Sequence, residues 1–131
     1  MSDEGGPVRE LTVLGKAVRH PIDHVECFPA PGSVTIVRAR TDELASVCPV
    51  TGQPDLSAVE IEYVPDQWCV ESKSLKLYYW SFRDRAVFAE ALAAEIANEI
   101  YNTAEPRRVT VRLTQRARGG ITIEAVAERH R

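Results

Sequence analysis

Glu71-Ser72-Lys73-Ser74-Leu75-Lys76-Leu77-Tyr78-Tyr79 marks the point at which the period of this chain changes. Before it, Val59, Ile61 and Tyr63 alternate with Glu60 and Glu62 over residues 58–64, the pattern of a half-buried strand that Pro65 ends. From Ser72 onward, Leu75, Tyr78, Tyr79 and Phe82 recur near every 3.6 residues, which predicts a basic-faced helix over 72–83. Asp84 suits the N-cap of a second helix with an apolar stripe of Phe88, Leu92, Ile96 and Ile100, stopped by Pro106.

Outward from this pair of helices the alternation returns. Val109, Val111 and Leu113 alternate with Thr110, Arg112 and Thr114, and Ile121-Thr122-Ile123 follows Gly119-Gly120, which predicts a hairpin. Upstream, Ser33-Val34-Thr35-Ile36-Val37-Arg38-Ala39 reads as a strand, and Thr41 to Ala45 as a short helical turn before the loop that carries Cys48. Residues 11–32 are interrupted by Pro21, Pro29, Pro31 and Gly32 and read as irregular; residues 1–10 read as a flexible tail.

The order β-β-α-α-β-β predicts an α+β domain over residues 11–131: an antiparallel four-stranded sheet with both helices on one face. Its other face would be bare, which favours a homo-oligomer.

At 131 residues, with 44% hydrophobic and 27% charged residues, the chain is expected to be one ordinary globular domain. A net charge of −3 argues against general nucleic-acid binding despite the local basic stretch from Arg107 to Arg118. No apolar stretch approaches the roughly 20 residues that span a bilayer. The acidic, glycine-bearing start from Met1 to Pro7 is unlike a signal sequence, so a cytoplasmic, membrane-free protein is expected. Three cysteines, Cys27, Cys48 and Cys69, form neither a disulfide framework nor a zinc ribbon. Pro21 breaks any helix that would align His20, His24 and Cys27, so no metal is expected.

Cys48 lies in Cys48-Pro49-Val50-Thr51-Gly52-Gln53-Pro54-Asp55, with a carboxylate seven residues away across a turn that can fold it back. Such a pair suits covalent catalysis, with the thiolate as nucleophile and the acid as proton relay. On residue chemistry alone, the commoner reading is Cys48 as small apolar filler and Asp55 as a turn cap. Likewise, Lys73 and Lys76 alone describe a solvated helix face, and Glu90 alone a first-turn acid favoured by the helix dipole. Tyr78, Tyr79 and Phe82 read mostly as core, and Gly119-Gly120 as a plain turn.

Val47-Cys48-Pro49-x-Thr51-Gly52-Gln53-Pro54-Asp55 and Glu71-Ser72-Lys73-Ser74-Leu75-Lys76-Leu77-Tyr78 resemble the two signatures of the QueF-type nitrile reductases. Tyr63-Val64-Pro65-Asp66, Ser81-Phe82-Arg83 and Arg118-Gly119-Gly120-Ile121 match further, so the resemblance covers about residues 44–124 in order. It implies a tunnelling fold and NADPH-dependent reduction of 7-cyano-7-deazaguanine to the 7-aminomethyl product, a step of queuosine biosynthesis for tRNA modification. By the same resemblance Cys48 would form a covalent thioimide and Asp55 would relay protons. Glu90, Phe88, Val70, Glu71 and Ser72 would bind the deazapurine. Ser72, Lys73, Ser74, Leu75 and Lys76, with Arg118 and Gly119 from a neighbouring subunit, would bind NADPH at sites between subunits of a ring.

One position departs from the family pattern. The histidine that normally precedes the substrate-binding glutamate is Ala89 here, so one polar contact is missing. Three readings follow: a reductase that moves its protons through Asp55 and water, a reductase of reduced rate or for a related nitrile, or an amidine-forming relative. A paralogue that binds a deazapurine without turnover is the alternative from outside enzymology.

Overall fold

The computed structural model describes residues 9–131, so most of the expected tail, residues 1–8, lies outside the described residues. Arg9, the first of them, donates from Nη1 to the Thr103 carbonyl at 2.6 Å and stacks over Trp68 at 3.9 Å.

The expected plan is present. A four-stranded antiparallel sheet runs β2 (Val37–Val47), β3 (Pro54–Val64), β5 (Arg108–Arg118) and β6 (Ile121–His130) in that spatial order. The helices α1 (Ser72–Trp80) and α2 (Ala89–Ala104) cover one face. The alternation read in β3 sets this packing: Val59, Ile61 and Tyr63 are buried beneath the helices, with Val109, Val111 and Leu113 of β5 beside them. From α2 the core takes Leu92, Ile96 and Ile100, each worth about 2 kcal/mol of burial. Tyr78 and Phe82 meet edge-to-face at 5.1 Å in the same core, as expected.

Several boundaries differ from the sequence reading. Thr41 to Ala45 is no helical turn: it continues β2 through a register shift between Thr41 and Leu44, which keeps Leu44 and Ser46 on the buried face. The first helix ends at Trp80, and Ser81 to Asp84 close it as turns. Asp84 does not cap α2; the N-cap is Phe88, 57% exposed and so outside the apolar stripe assigned to it. The alanines at 89, 93, 97 and 104 complete the buried face instead. Residues 11–32 are not wholly irregular: β1 (Cys27–Pro29) pairs with β4 (Trp68–Val70) in a small second sheet. Gly119 and Gly120, with φ of 58° and 79°, make the tight turn between β5 and β6, a left-handed conformation at both positions that glycine adopts without strain.

The helix-free face is bare but not apolar. Glu62 accepts from Arg38 at 2.8 Å and Arg108 at 3.1 Å, while Glu60 faces Arg40 and Arg112. The charges of this alternating lattice are already paired, so the free edges β2 and β6, rather than this face, are the surfaces on which the sheet could extend.

Candidate active site

Cys48 sits at the tip of the β2–β3 hairpin, because Val47 pairs with Pro54 and the intervening residues 48–53 form its loop. The loop is closed from within. The Cys48 amide donates to the Gln53 carbonyl at 2.8 Å, and the Gly52 amide donates to the Cys48 carbonyl at 2.9 Å. Gly52 takes φ 74° to allow this turn. The Thr51 hydroxyl, then the Thr51 and Val50 amides, donate to the sulfur and hold the thiol below its ordinary value; burial and the Asp55 charge push the other way. Such a nest of donors favours thiolate without any cationic neighbour. Cys48 is half-exposed, whereas Cys27 and Cys69 are buried, and burial pushes the Cys27 thiol up to about 11. Cys48 thus differs from the two buried thiols in its exposure and in the donors around its sulfur.

Asp55 is placed not by a turn but by β3, opposite Ser46, with its side chain on the helix-covered face and only 4% exposed. Arg118 Nε forms an ion pair with Asp55 Oδ1, and Arg118 Nη1 donates to Gln53 Oε1 at 2.9 Å. Oδ1 has no aligned hydrogen bond beyond that ion-pair contact. The start of α2 comes to the same place. Val47 donates to the Arg85 carbonyl at 2.9 Å, and Val87 donates back to the Val47 carbonyl at 3.2 Å, a parallel bridge with Ala86 at its centre. Phe88 and Glu90 thus open α2 beside the Cys48 loop, both exposed, with Ala89 turned inward and 3% exposed.

A second group of expected residues gathers elsewhere. Val70 donates its amide to the Tyr63 hydroxyl at 2.8 Å, at the far end of β3 from Asp55. Eight residues of strand separate the two, about 26 Å. Here Glu71 is the N-cap of α1: its carboxylate accepts from the Ser74 and Lys73 amides, both at 2.7 Å. Ser74 is fully buried; its hydroxyl donates to the Glu71 carbonyl at 2.8 Å and accepts from the Glu26 amide at the same distance. Leu75 is buried in the core. Lys73 Nζ donates to the carbonyls of Val13 at 2.8 Å and Lys16 at 2.6 Å, which ties the 11–16 segment down over α1. Leu11, Leu14, Phe28, Val70, Glu71 and Ser72 line a cleft of about 510 Å³ under that segment.

Only Lys76 of the helix cations is turned to solvent, and it shares a groove of about 230 Å³ with Arg83, Trp80, Tyr79 and Glu43. Neither Lys76 nor Arg83 makes an ion pair among the described residues, so both are open to an anionic ligand such as a cofactor phosphate. Arg83 stood inside a quoted motif without an assigned role. Thr51 and Gln53 did too, their contribution being invisible until the loop closes. Glu26 carried no sequence signal, since its partners Thr12, Val13 and Ser74 are distant in the chain. No cluster of metal-ligating side chains occurs among the described residues.

A family model described as QueF-like protein matches residues 54–131. The chain belongs to this family. A protein from Alkalilimnicola ehrlichii named NADPH-dependent 7-cyano-7-deazaguanine reductase is 44% identical over 110 residues, 82% of this chain and 85% of that protein. A protein of the same name from Nitrosococcus oceani is 43% identical over the same shares. Among solved structures, apo archaeosine synthase QueF-Like is similar at TM-score 0.69 and 29% identity, over 73% of this chain and 94% of that one.

Proposed function

We propose that this chain is an NADPH-dependent reductase of 7-cyano-7-deazaguanine, acting through a covalent thioimide on Cys48 and serving queuosine biosynthesis. The observation that carries this reading is the single hairpin that holds a donor-stabilised Cys48 beside the buried Asp55, in a chain 44% identical to a reductase of that name. Cys48 Sγ adds to the nitrile carbon, and the nitrile nitrogen takes up a proton relayed by Asp55, the buried carboxylate of the site. The carbon, now in a C=N bond, accepts hydride far more readily than the nitrile did. Bound NADPH would supply the hydrides, two per aminomethyl product. Phe88 and Glu90 are exposed beside the reacting thiol and fit a flat guanine-like ring and its donor edge. Lys76 and Arg83 fit the cofactor's phosphates. Ser72, exposed at the start of α1, fits a polar contact to either molecule.

Within one chain the Cys48 end and the Glu71 end are too far apart to serve one substrate and one cofactor together. A homo-oligomer built through the free edges of β2 and β6 would bring the Glu71–Lys76 helix of one copy to the Cys48 end of another. Arg118 and Gly119, at the hairpin tip on the Cys48 end, would then face the neighbour's cofactor groove. The sites would lie between subunits, in a cytoplasmic protein without nucleic-acid or membrane contact. Among the described residues no helix is long and apolar enough to cross a membrane.

Mass spectrometry of the protein with 7-cyano-7-deazaguanine tests this reading. A substrate-mass adduct on Cys48 that NADPH clears, with release of the aminomethyl product, is the expected result. An adduct that persists with NADPH would instead place the defect after thioimide formation, implicate Ala89, and support an amidine-forming or otherwise non-reductive relative. No adduct would leave a deazapurine-binding module.

A further inference from the structure

A buried carboxylate beside a nucleophilic thiol is an electrostatic conflict, since each negative charge disfavours the other. In this chain the conflict is concrete. Asp55 is 3% exposed, and its charge opposes ionisation of Cys48, whereas the Thr51 and Val50 donors favour it. The β5–β6 hairpin supplies what the site otherwise lacks. Its register shifts between Gln115 and Arg118, and the two left-handed glycines that follow turn the chain back to Ile121. Arg118 is thereby set at the hairpin tip with its guanidinium lying between two residues of the Cys48 hairpin: Nε on Asp55 Oδ1 and Nη1 on Gln53 Oε1. The Gln53 backbone carbonyl in turn accepts from the Cys48 amide, so a single side chain ties the carboxylate to the loop that presents the sulfur.

We propose that Arg118 is a positioning residue of the site: it takes up the Asp55 carboxylate, so that a buried negative charge can stand beside Cys48 without suppressing the nucleophile. Arg118 acts through Asp55 rather than on the sulfur. This role is separate from any contact of Arg118 with a cofactor phosphate, although the two are compatible. It rests on the reading of Cys48 and Asp55 as the reacting pair, but its test requires no nitrile.

The rate of Cys48 alkylation by iodoacetamide at neutral pH, located by peptide mass spectrometry on the full chain, reports thiolate at that position. Arg118→Met is expected to slow alkylation about three- to tenfold, because unpaired Asp55 then faces the sulfur. In an Asp55→Asn background the same Arg118→Met change is expected to have no effect. Arg118→Lys, which keeps the charge but not the fork, is expected to fall between wild type and Arg118→Met. Equal slowing in both backgrounds would mean that Arg118 acts directly on Cys48, and would overturn the proposal. So would unchanged alkylation in Arg118→Met, including the case in which that variant loses only NADPH affinity in a cofactor titration. Arg118 is at an exposed hairpin tip, and Asp55→Asn keeps the side-chain shape, so the cycle does not depend on a core substitution. The nitrile adduct experiment can fail while this cycle succeeds, and the reverse, so the two readings fall separately.

Discussion

The two ends of the sheet are built from similar materials and finished differently. At the Glu71 end, the buried carboxylates and Ser74 find partners: Glu71 caps α1, Ser74 bridges Glu71 and Glu26, Glu26 accepts from Thr12 and Val13, and Lys73 closes on two carbonyls. At the Cys48 end, Asp55 is as deeply buried as Glu71 but its Oδ1 is met by the Arg118 ion pair alone, without an aligned hydrogen bond, and the half-exposed Cys48 thiol is surrounded by donors. A satisfied buried network rigidifies a frame, whereas a sparsely partnered buried carboxylate calls for an explanation, which the proposed chemistry at Cys48 supplies. The comparison teaches that motif residues of equal prominence in the sequence divide into groups locked in the frame and candidates for chemistry only once their hydrogen bonds are counted.

The sharpest way to break the comparison is at the thiol. Cys48→Ala should abolish the nitrile adduct and lower turnover by about a thousandfold or more, without a measurable change in melting temperature. A residual adduct by mass spectrometry would move the nucleophile elsewhere. At the other end the effect should be on folding. Glu71→Ala removes two hydrogen bonds to a buried carboxylate and a helix cap, and should cost about 2 kcal/mol in urea unfolding. Cys48 alkylation in the folded protein should stay unchanged, because the two ends are independent.

Smaller changes sharpen the picture. Thr51→Val removes the hydroxyl that contributes most to lowering the Cys48 thiol. The pH profile of alkylation should move to higher pH, and the rate at neutral pH should fall about fivefold. A profile that did not move would transfer the activation to the backbone amides alone. The smallest effect expected is acid sensitivity at Glu26. Burial pushes this carboxyl up, but the Thr12 hydroxyl, the Thr12 and Val13 amides and His24 together hold it below 4.5. A depressed folded-state value means stability that is present above the ordinary carboxylate range and is lost as pH falls through the lowered value. Glu26→Gln should therefore flatten part of the stability loss below about pH 4.5, as read by thermal melts across pH. An unchanged acid limb would assign that loss to other carboxylates.

Element types were largely legible before the structure was known. The alternation at 59–63 and 109–113 and the helical spacing from Leu75 to Phe82 each report a face buried against a neighbour, and burial is what periodicity encodes. Boundaries were less legible where local preference and sheet pairing compete. Thr41 to Ala45 looks helical in isolation, but its partner strand extends it as β2 through a bulge. Asp84 has the chemistry of a cap, yet the parallel bridge of Val47 to Ala86 fixes the chain there and delays the helix to Ala89. Cys27–Pro29 gave no strand signal because three residues carry too little pattern, and they depend on Trp68–Val70 for pairing.

The sequence by itself determined the α+β order and the family, and singled out Cys48 and Asp55 as the proposed nucleophile and acid, because those are written in periodicity and in contiguous motifs. Tertiary structure alone decided which motif residues are frame and which are open. Ser74 and Lys73 stand in the same signature as Lys76, but only Lys76 faces solvent, since the direction of a side chain and its partners depend on what packs against the helix. The meeting of Arg118 with Asp55 was equally beyond the sequence. Sixty-three residues separate them, and only a shifted hairpin register and two left-handed glycines bring the guanidinium onto the carboxylate.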